Sequence, residues 1–247
     1  MAVAKPLQGQ VAIVTGAGRR IGRTLALRLA AEGARVVVHY RHSEAEARAA
    51  VAEIAQAGGE ATPIRAELTH PDEVDRMFAE VERRFARLDI LVNNAAIFAA
   101  TPLAEATEAQ WDSVLSANLK APFLCAQRAA PLLTASGRGR IINFASLGGL
   151  LAWPKFMAYS VSKAGVIMLT RCLARALAPA VTVNAIAPGT ISFPNDAPEI
   201  AEDYIRRAPL QRTGTSADIA DAVIYLVGAA FVTGQLIVVD GGRSIPT

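Results

Sequence analysis

The stretch Gln10-Val11-Ala12-Ile13-Val14-Thr15-Gly16-Ala17-Gly18-Arg19-Arg20-Ile21-Gly22 changes its period half-way along, and the fold turns on that change. Val11 to Val14 form an unbroken apolar run, the pattern of a strand buried on both faces. After the glycines, Leu25, Leu29 and Ala30 recur at helical spacing. A strand that passes through a glycine-rich turn into a helix can bring its backbone close to a pyrophosphate, which then rests on the helix N-terminus. The spacing is not G-x-G-x-x-G, because residue 21 is Ile. It is closer to T-G-x-x-x-G-x-G, with Arg20 at the middle glycine. A turn of this kind with no ligand is the alternative reading.

Strand and helix patterns alternate along the remainder of the chain. Strands are predicted at 11–15, 35–40, 61–66, 89–93, 139–145, 181–186 and 236–239. Helices are predicted at 20–32, 44–57, 72–87, 108–134, 156–178 and 216–228. Alternation with right-handed crossovers implies one α/β domain over 1–247, a doubly wound Rossmann fold. Its parallel seven-stranded sheet carries helices on both faces, with the ligand crevice at the carboxyl ends of the strands. The stretch 188–215 contains Pro188, Pro194, Pro198 and Pro209 and lacks clear periodicity. It reads as a substrate loop or lid at the ligand end, or as a simple connector. Two helices, 108–134 and 156–178, are apolar on more than one face, so one face each is left for another partner.

Composition narrows the classes of function. The 247 residues are 52% hydrophobic and carry a net charge of +3. Acidic and basic residues interleave on the helices, as in Glu80-Val81-Glu82-Arg83-Arg84, which argues for solvated faces and against nucleic acid. A local cluster of Arg19, Arg20, Arg23 and Arg41 could form a basic pocket. Cys125 and Cys172 are far apart, and His39, His42 and His70 have no ligand spacing, so neither a disulfide framework nor a metal is expected. Met1 to Gln10 lack the apolar core of a signal peptide and no apolar run is long enough to span a bilayer, so the chain reads as cytoplasmic.

A second signal lies in Tyr159-Ser160-Val161-Ser162-Lys163, with Ser146 thirteen residues upstream. Four residues make one helical turn, so phenol and ammonium face the same way. An ammonium near a phenol favours its ionised form and lowers a pKa that is ordinarily about 10. Such a tyrosine can exchange a proton with a substrate oxygen.

Taken with Thr15-Gly16…Gly22, Asn93-Asn94-Ala95-Ala96, Asn118 and Pro188-Gly189, this pattern resembles the short-chain dehydrogenase/reductase family along the whole chain. The resemblance implies an oxidoreductase in which Tyr159 is the general acid/base and Ser146 polarises the substrate oxygen. Lys163 would lower the tyrosine pKa and bond the nicotinamide ribose, and Asn118 would join a water-mediated proton relay. The plainer readings are a turn cap for Ser146 and, for Asn118, a bond to helix backbone near Pro122. Dimers or tetramers built on the two doubly apolar helices are implied as well.

The cofactor expected is NADP(H). Strand 35–40 ends without the acidic residue that would hold the ribose diol of NAD. Tyr40-Arg41-His42-Ser43 follow instead, with Arg19 and Arg20 in the first turn, and guanidinium groups suit a 2′-phosphate. Ser43 either bonds that phosphate or only caps the next helix. Gly16, Ile21 and Gly22 would line the pyrophosphate turn. By resemblance, Glu67 and Leu68 sit beside the adenine, Asn94, Ala95 and Ala96 back the adenosine ribose, and Pro188, Gly189 and Ile191 contact the nicotinamide, the carboxamide being held by the Ile191 main chain.

Within the family, the arginine-bearing turn and His39-Tyr40-Arg41-His42-Ser43 resemble the pteridine reductases. Phe98 matches the aromatic that stacks on a pterin there. Ser146 departs from that subgroup, which carries Asp, and restores a carbonyl-reducing arrangement. The small-molecule substrate is therefore expected to be a C=N or C=O compound, a pterin first. A 3-oxoacyl thioester reductase, docking an acidic carrier on Arg128, Arg138, Arg140 and Arg171, is the enzymatic alternative. A non-catalytic NADP(H) sensor is the alternative from another class.

Overall fold

The computed structural model describes residues 5–245, Asn195 and Ala197 excepted, so Met1 to Ala4 of the N-terminal segment lie outside the described residues. The sheet is formed by β1 (Val11–Val14), β2 (Arg35–Tyr40), β3 (Glu60–Arg65), β4 (Ile90–Asn93), β5 (Gly139–Phe144), β6 (Val181–Pro188) and β7 (Leu236–Val239). All pairings are parallel, in the order β3-β2-β1-β4-β5-β6-β7. The helices are α1 (Arg20–Ala31), α2 (Glu44–Gln56), α3 (Pro71–Phe85), α4 (Glu108–Leu115), α5 (Ala121–Ala135), α6 (Met157–Leu177), α7 (Pro198–Arg207) and α8 (Ser216–Gly228).

The apolar run of β1 divides by its two-residue period. Ala12 and Val14 enter one core with Leu25 and Leu29 of α1, Ile54 of α2 and Val223 of α8. Val11 and Ile13 enter the other with Val74 and Val81 of α3 and Ala126 and Ala129 of α5. Burial on both faces is why this strand carries no polar alternation. Strand order reverses between β1 and β4, which opens a crevice at their carboxyl ends.

Two expected elements differ. The single helix predicted over 108–134 is divided by a π-turn at Ser116–Lys120, where the Ala121 N–H bonds the Ser116 carbonyl five residues back. Pro122 follows and has no N–H to continue an α-helical ladder, so the wider turn closes there. The aperiodic 188–215 stretch contains α7, a short amphipathic helix with Pro198 in its first turn. Its Tyr204, with Ala208 beyond it, packs on Leu147. Proline density hid a helix of only ten residues.

Candidate active site

The carboxyl ends of β1, β4, β5 and β6 open into one cleft of about 1320 Å³, roofed by α7. Arg20, Asn94, Ser146, Tyr159, Lys163 and Gly189 line it. Arg20 and Gly189, 169 positions apart in the chain, meet there because parallel strands deliver all their carboxyl ends to one edge.

Ser146 leaves the end of β5 in extended conformation. Its Oγ accepts the Gly148 N–H at 3.1 Å and is hydrogen-bonded to the Tyr159 phenol. Ser146 therefore both caps a turn and touches Tyr159. Lys163 is buried, and its Nζ donates to the Phe144 carbonyl at 2.6 Å. Nζ stands 5.7 Å from the centroid of the Tyr159 ring.

The protonation pattern differs from expectation. Burial raises the Tyr159 pKa, and the Ser146 hydrogen bond opposes that rise. Lys163, engaged by a carbonyl, does not bring the phenol down, and burial lowers its own pKa to about 8. The phenol is thus a neutral proton donor near pH 7.

Asn118 occupies the π-turn and is buried. Its side chain forms two hydrogen bonds with the Ile97 backbone, accepting the N–H at 2.8 Å and donating to the carbonyl at 2.9 Å. Its Nδ2 also donates to Ser162 Oγ at 3.2 Å, and that hydroxyl donates to the Tyr159 carbonyl at 2.6 Å. The helix-backbone alternative near Pro122 is taken by Asn93, whose Nδ2 lies 3.5 Å from the Pro122 carbonyl and 2.9 Å from Asn143 Oδ1. Ser162, which sequence reasoning missed, ties Asn118 to the tyrosine helix.

Aromatic rings crowd the phenol. Phe98 stacks on Phe156 with centroids 4.3 Å apart and meets the Tyr159 ring edge-on at 4.8 Å. Trp153 lies nearly parallel to Tyr159 at 6.3 Å. One face of Phe98 is therefore covered by Phe156, and the ring is otherwise largely exposed in the cleft. Trp153 carried no motif; only its position after the Ser146 turn hinted at it.

At the nucleotide end, Gly16 has φ +64° and a Cβ there would stand 3.0 Å from Ala95 Cα. A Cβ on Gly22 would stand 2.3 Å from the Gly16 carbonyl. Asn94 Nδ2 donates to the Thr15 carbonyl at 2.8 Å and locks the turn to the end of β4. Gly18 lies against Ser43, whose side chain makes no capping bond to α2. Arg19 reaches Glu46 of α2, 3.8 Å away, on the Ser43 side. Arg41 pairs with Glu67, whose Oε1 also takes the Thr69 N–H and hydroxyl. Glu67 therefore holds Arg41 instead of facing an adenine alone. Leu68 is buried in the core under α3, and His42 is exposed at the end of β2.

Two residues of the expected nucleotide set are placed otherwise. The Tyr40 ring is buried in the α1/α2 core, leaving only its main chain at the strand end. The Arg20 guanidinium turns away from Ser43 and pairs with Asp196 beyond β6. Ile21 lines the cleft beside it.

At the other end of the cleft, Pro188 ends β6 and Gly189 donates its N–H to the Val239 carbonyl at 2.9 Å. A Cβ on Gly189 would stand 1.9 Å from the Tyr204 hydroxyl, so only glycine admits α7 at this depth. Ile191 bridges to Gly214 through Thr190 O and Ser192 N, which directs its own N–H and C=O to the opposite side. Ala96 lines the cleft between Asn94 and Phe98.

Residues 16–244 match a family model described as enoyl-(acyl carrier protein) reductase. The chain is 42% identical over 240 residues to a 3-oxoacyl-[acyl-carrier-protein] reductase of Synechocystis sp., covering 96% of this chain and 97% of the relative. It is 44% identical over 237 residues to a 3-oxoacyl-[acyl-carrier-protein] reductase of Staphylococcus aureus, covering 94% and 96%. The chain belongs to the short-chain dehydrogenase/reductase family. A dehydrogenase/reductase from Sinorhizobium meliloti superposes with a TM-score of 0.91 at 38% identity, over 98% of this chain and 97% of that one.

As a short-chain dehydrogenase/reductase the protein is an oxidoreductase acting on a small molecule, and its cofactor is NADP(H). The residues present fit that cofactor. β2 ends without a carboxylate, Arg19 and Arg41 belong to the two turns that meet at Ser43, whose side chain makes no capping bond, and the Gly16/Gly22 turn leaves no room for a Cβ where a pyrophosphate would approach.

Proposed function

We propose that this short-chain reductase uses NADPH to reduce the ketone of a 3-oxoacyl thioester. The observation that carries the reading is the Ser146–Tyr159 hydroxyl pair, set in an aromatic and aliphatic cleft. Two hydroxyls meeting at one point suit a ketone oxygen, which accepts two hydrogen bonds. NADPH, when bound, supplies the hydride. Ser146 donates a hydrogen bond to the substrate carbonyl, Tyr159 transfers its proton to the developing alkoxide, and the raised phenol pKa suits the reductive direction. Lys163, Pro188, Gly189 and the Ile191 main chain would hold the nicotinamide half of the cofactor. Arg19, Arg41 and Ser43 would hold the 2′-phosphate, with Gly16, Ile21, Gly22, Asn94, Ala95 and Ala96 around the remainder. Asn118 and Ser162 lead from the tyrosine helix toward the Ile97 carbonyl, a path along which water could return the proton.

The names of the relatives support the thioester over the pterin. α7 and the segment before it would close over the acyl chain. Exposed Phe123 on α5 and Val161 and Met168 on α6 support a dimer or tetramer through these helices.

NADPH oxidation with an acetoacetyl thioester, run in parallel with a dihydropterin, tests the substrate. Turnover of the thioester alone is expected. Turnover of the pterin alone would overturn the reading.

A further inference from the structure

Arg20 has φ +52°, in the left-handed region that a residue with a side chain rarely adopts. A residue stays in such a conformation when its surroundings hold it there. Its guanidinium is held by a segment 176 residues away, with Nη1 and Nη2 donating to the two carboxylate oxygens of Asp196, each at 2.9 Å. The same guanidinium lies over the Phe193 ring, 4.1 Å from its centroid. Ring and carboxylate are presented as one unit. The Asp196 N–H donates to the Phe193 carbonyl at 2.9 Å, and Asp196 Oδ2 accepts the Phe193 N–H at 3.0 Å. At the far end of α7, Tyr204 is anchored by its hydroxyl to the Asp240 carbonyl and by its ring to Leu147. The roof of the cleft is thus fixed to the core at one end and to the first cofactor turn at the other.

We propose that Arg20 is a positioning residue that latches the roof, Phe193, Asp196 and α7, across the mouth of the cleft. A bidentate charged pair combined with a cation–π contact has the geometry of a clasp: strong when aligned, and lost when the segment swings out. The latch acts through the roof. It holds α7 over Ser146 and Tyr159 and excludes water there, and its opening admits substrate and releases product. Because the arginine belongs to the turn that opens α1, roof closure and the cofactor turn share one residue.

Hydrogen exchange in peptides covering 198–207, read on the full-length protein with no substrate present, tests the latch whatever carbonyl compound is reduced. Arg20→Asp and Asp196→Arg should each speed exchange about tenfold while peptides of α3 stay unchanged. The charge-swapped double variant should restore protection to within about threefold, and KM in the singles should rise more than kcat falls. Arg20→Gly removes the φ strain along with the latch, so it keeps the turn relaxed and must still release α7. Singles that leave the exchange of α7 unchanged, or a swap that restores nothing, would overturn the proposal.

Discussion

His39 Nδ1 accepts the Gly16 N–H at 3.0 Å, and this bond ties the cofactor turn to the neighbouring strand. A backbone N–H only donates, so Nδ1 is unprotonated and Nε2 carries the hydrogen, which it gives to the Ala66 carbonyl at 3.0 Å. One neutral imidazole thus joins β1's turn to the end of β3. Burial lowers its pKa to about 4.

The unfolded chain protonates His39 near 6.5 and the folded chain only near 4, so the unfolded state binds more protons between these values. Stability is full above about pH 6.5 and falls as pH drops toward 4, by a sum on the order of 3 kcal/mol. Urea midpoints measured from pH 7.5 to 4.5 should show this slope. His39→Leu should lower stability at pH 7, by about 2–4 kcal/mol for two buried groups left unpaired, and flatten the curve. An unchanged slope in the variant would assign it to other groups.

Tyr159→Phe removes the proton donor and keeps the ring that packs against Phe98 and Trp153. Turnover should fall about 10²–10⁴-fold while the NADPH dissociation constant shifts only a few-fold. Steady-state kinetics beside fluorescence titration checks both. A variant as active as the parent would remove Tyr159 from the chemistry.

Lys163 is a buried ammonium with its pKa near 8 against an ordinary 10.5. The unfolded chain binds more protons between these values, so stability rises as pH climbs through that window. At pH 7 the charge opposes folding by an amount on the order of 3 kcal/mol, partly offset by the Phe144 carbonyl. Lys163→Met should abolish turnover yet leave the melting temperature equal or higher, a trade of stability for function. In the parent enzyme, reduction should slow as pH rises past about 8, where the ammonium is lost. A melting temperature that drops several degrees in the variant would show that Lys163 is structural.

Arg41 faces two claims, from Glu67 and from a 2′-phosphate. Neutralising the carboxylate with Glu67→Gln should free the guanidinium and tighten NADPH about threefold, with NADH little changed. Isothermal titration with both cofactors reads the ratio. Weaker NADPH binding would mean that the pair aims Arg41 at the phosphate.

Much of this was legible in the residues. The change of period at Thr15-Gly16 and the alternation that follows imply a doubly wound sheet, and five of the six predicted helices have single counterparts at or near their predicted ends. The segment 108–134 was read as unbroken because side-chain period does not reveal a missing N–H at Pro122 until the turn before it widens. α7 escaped because ten residues among prolines carry too little periodic signal. His39, Ser162 and Trp153 escaped because each acts through a partner remote in sequence or through a backbone group.

What the sequence by itself determined is what local spacing encodes. The period of apolar residues sets strand and helix, glycines set the turn, and four residues between Tyr159 and Lys163 put both on one helical face. Only the tertiary structure decided which groups lose water and which charges meet. Burial keeps Tyr159 protonated and brings Lys163 near 8, and packing across 176 residues turns Arg20 from the ribose side to Asp196. Desolvation and long-range pairing depend on distances that no residue spacing along the chain contains.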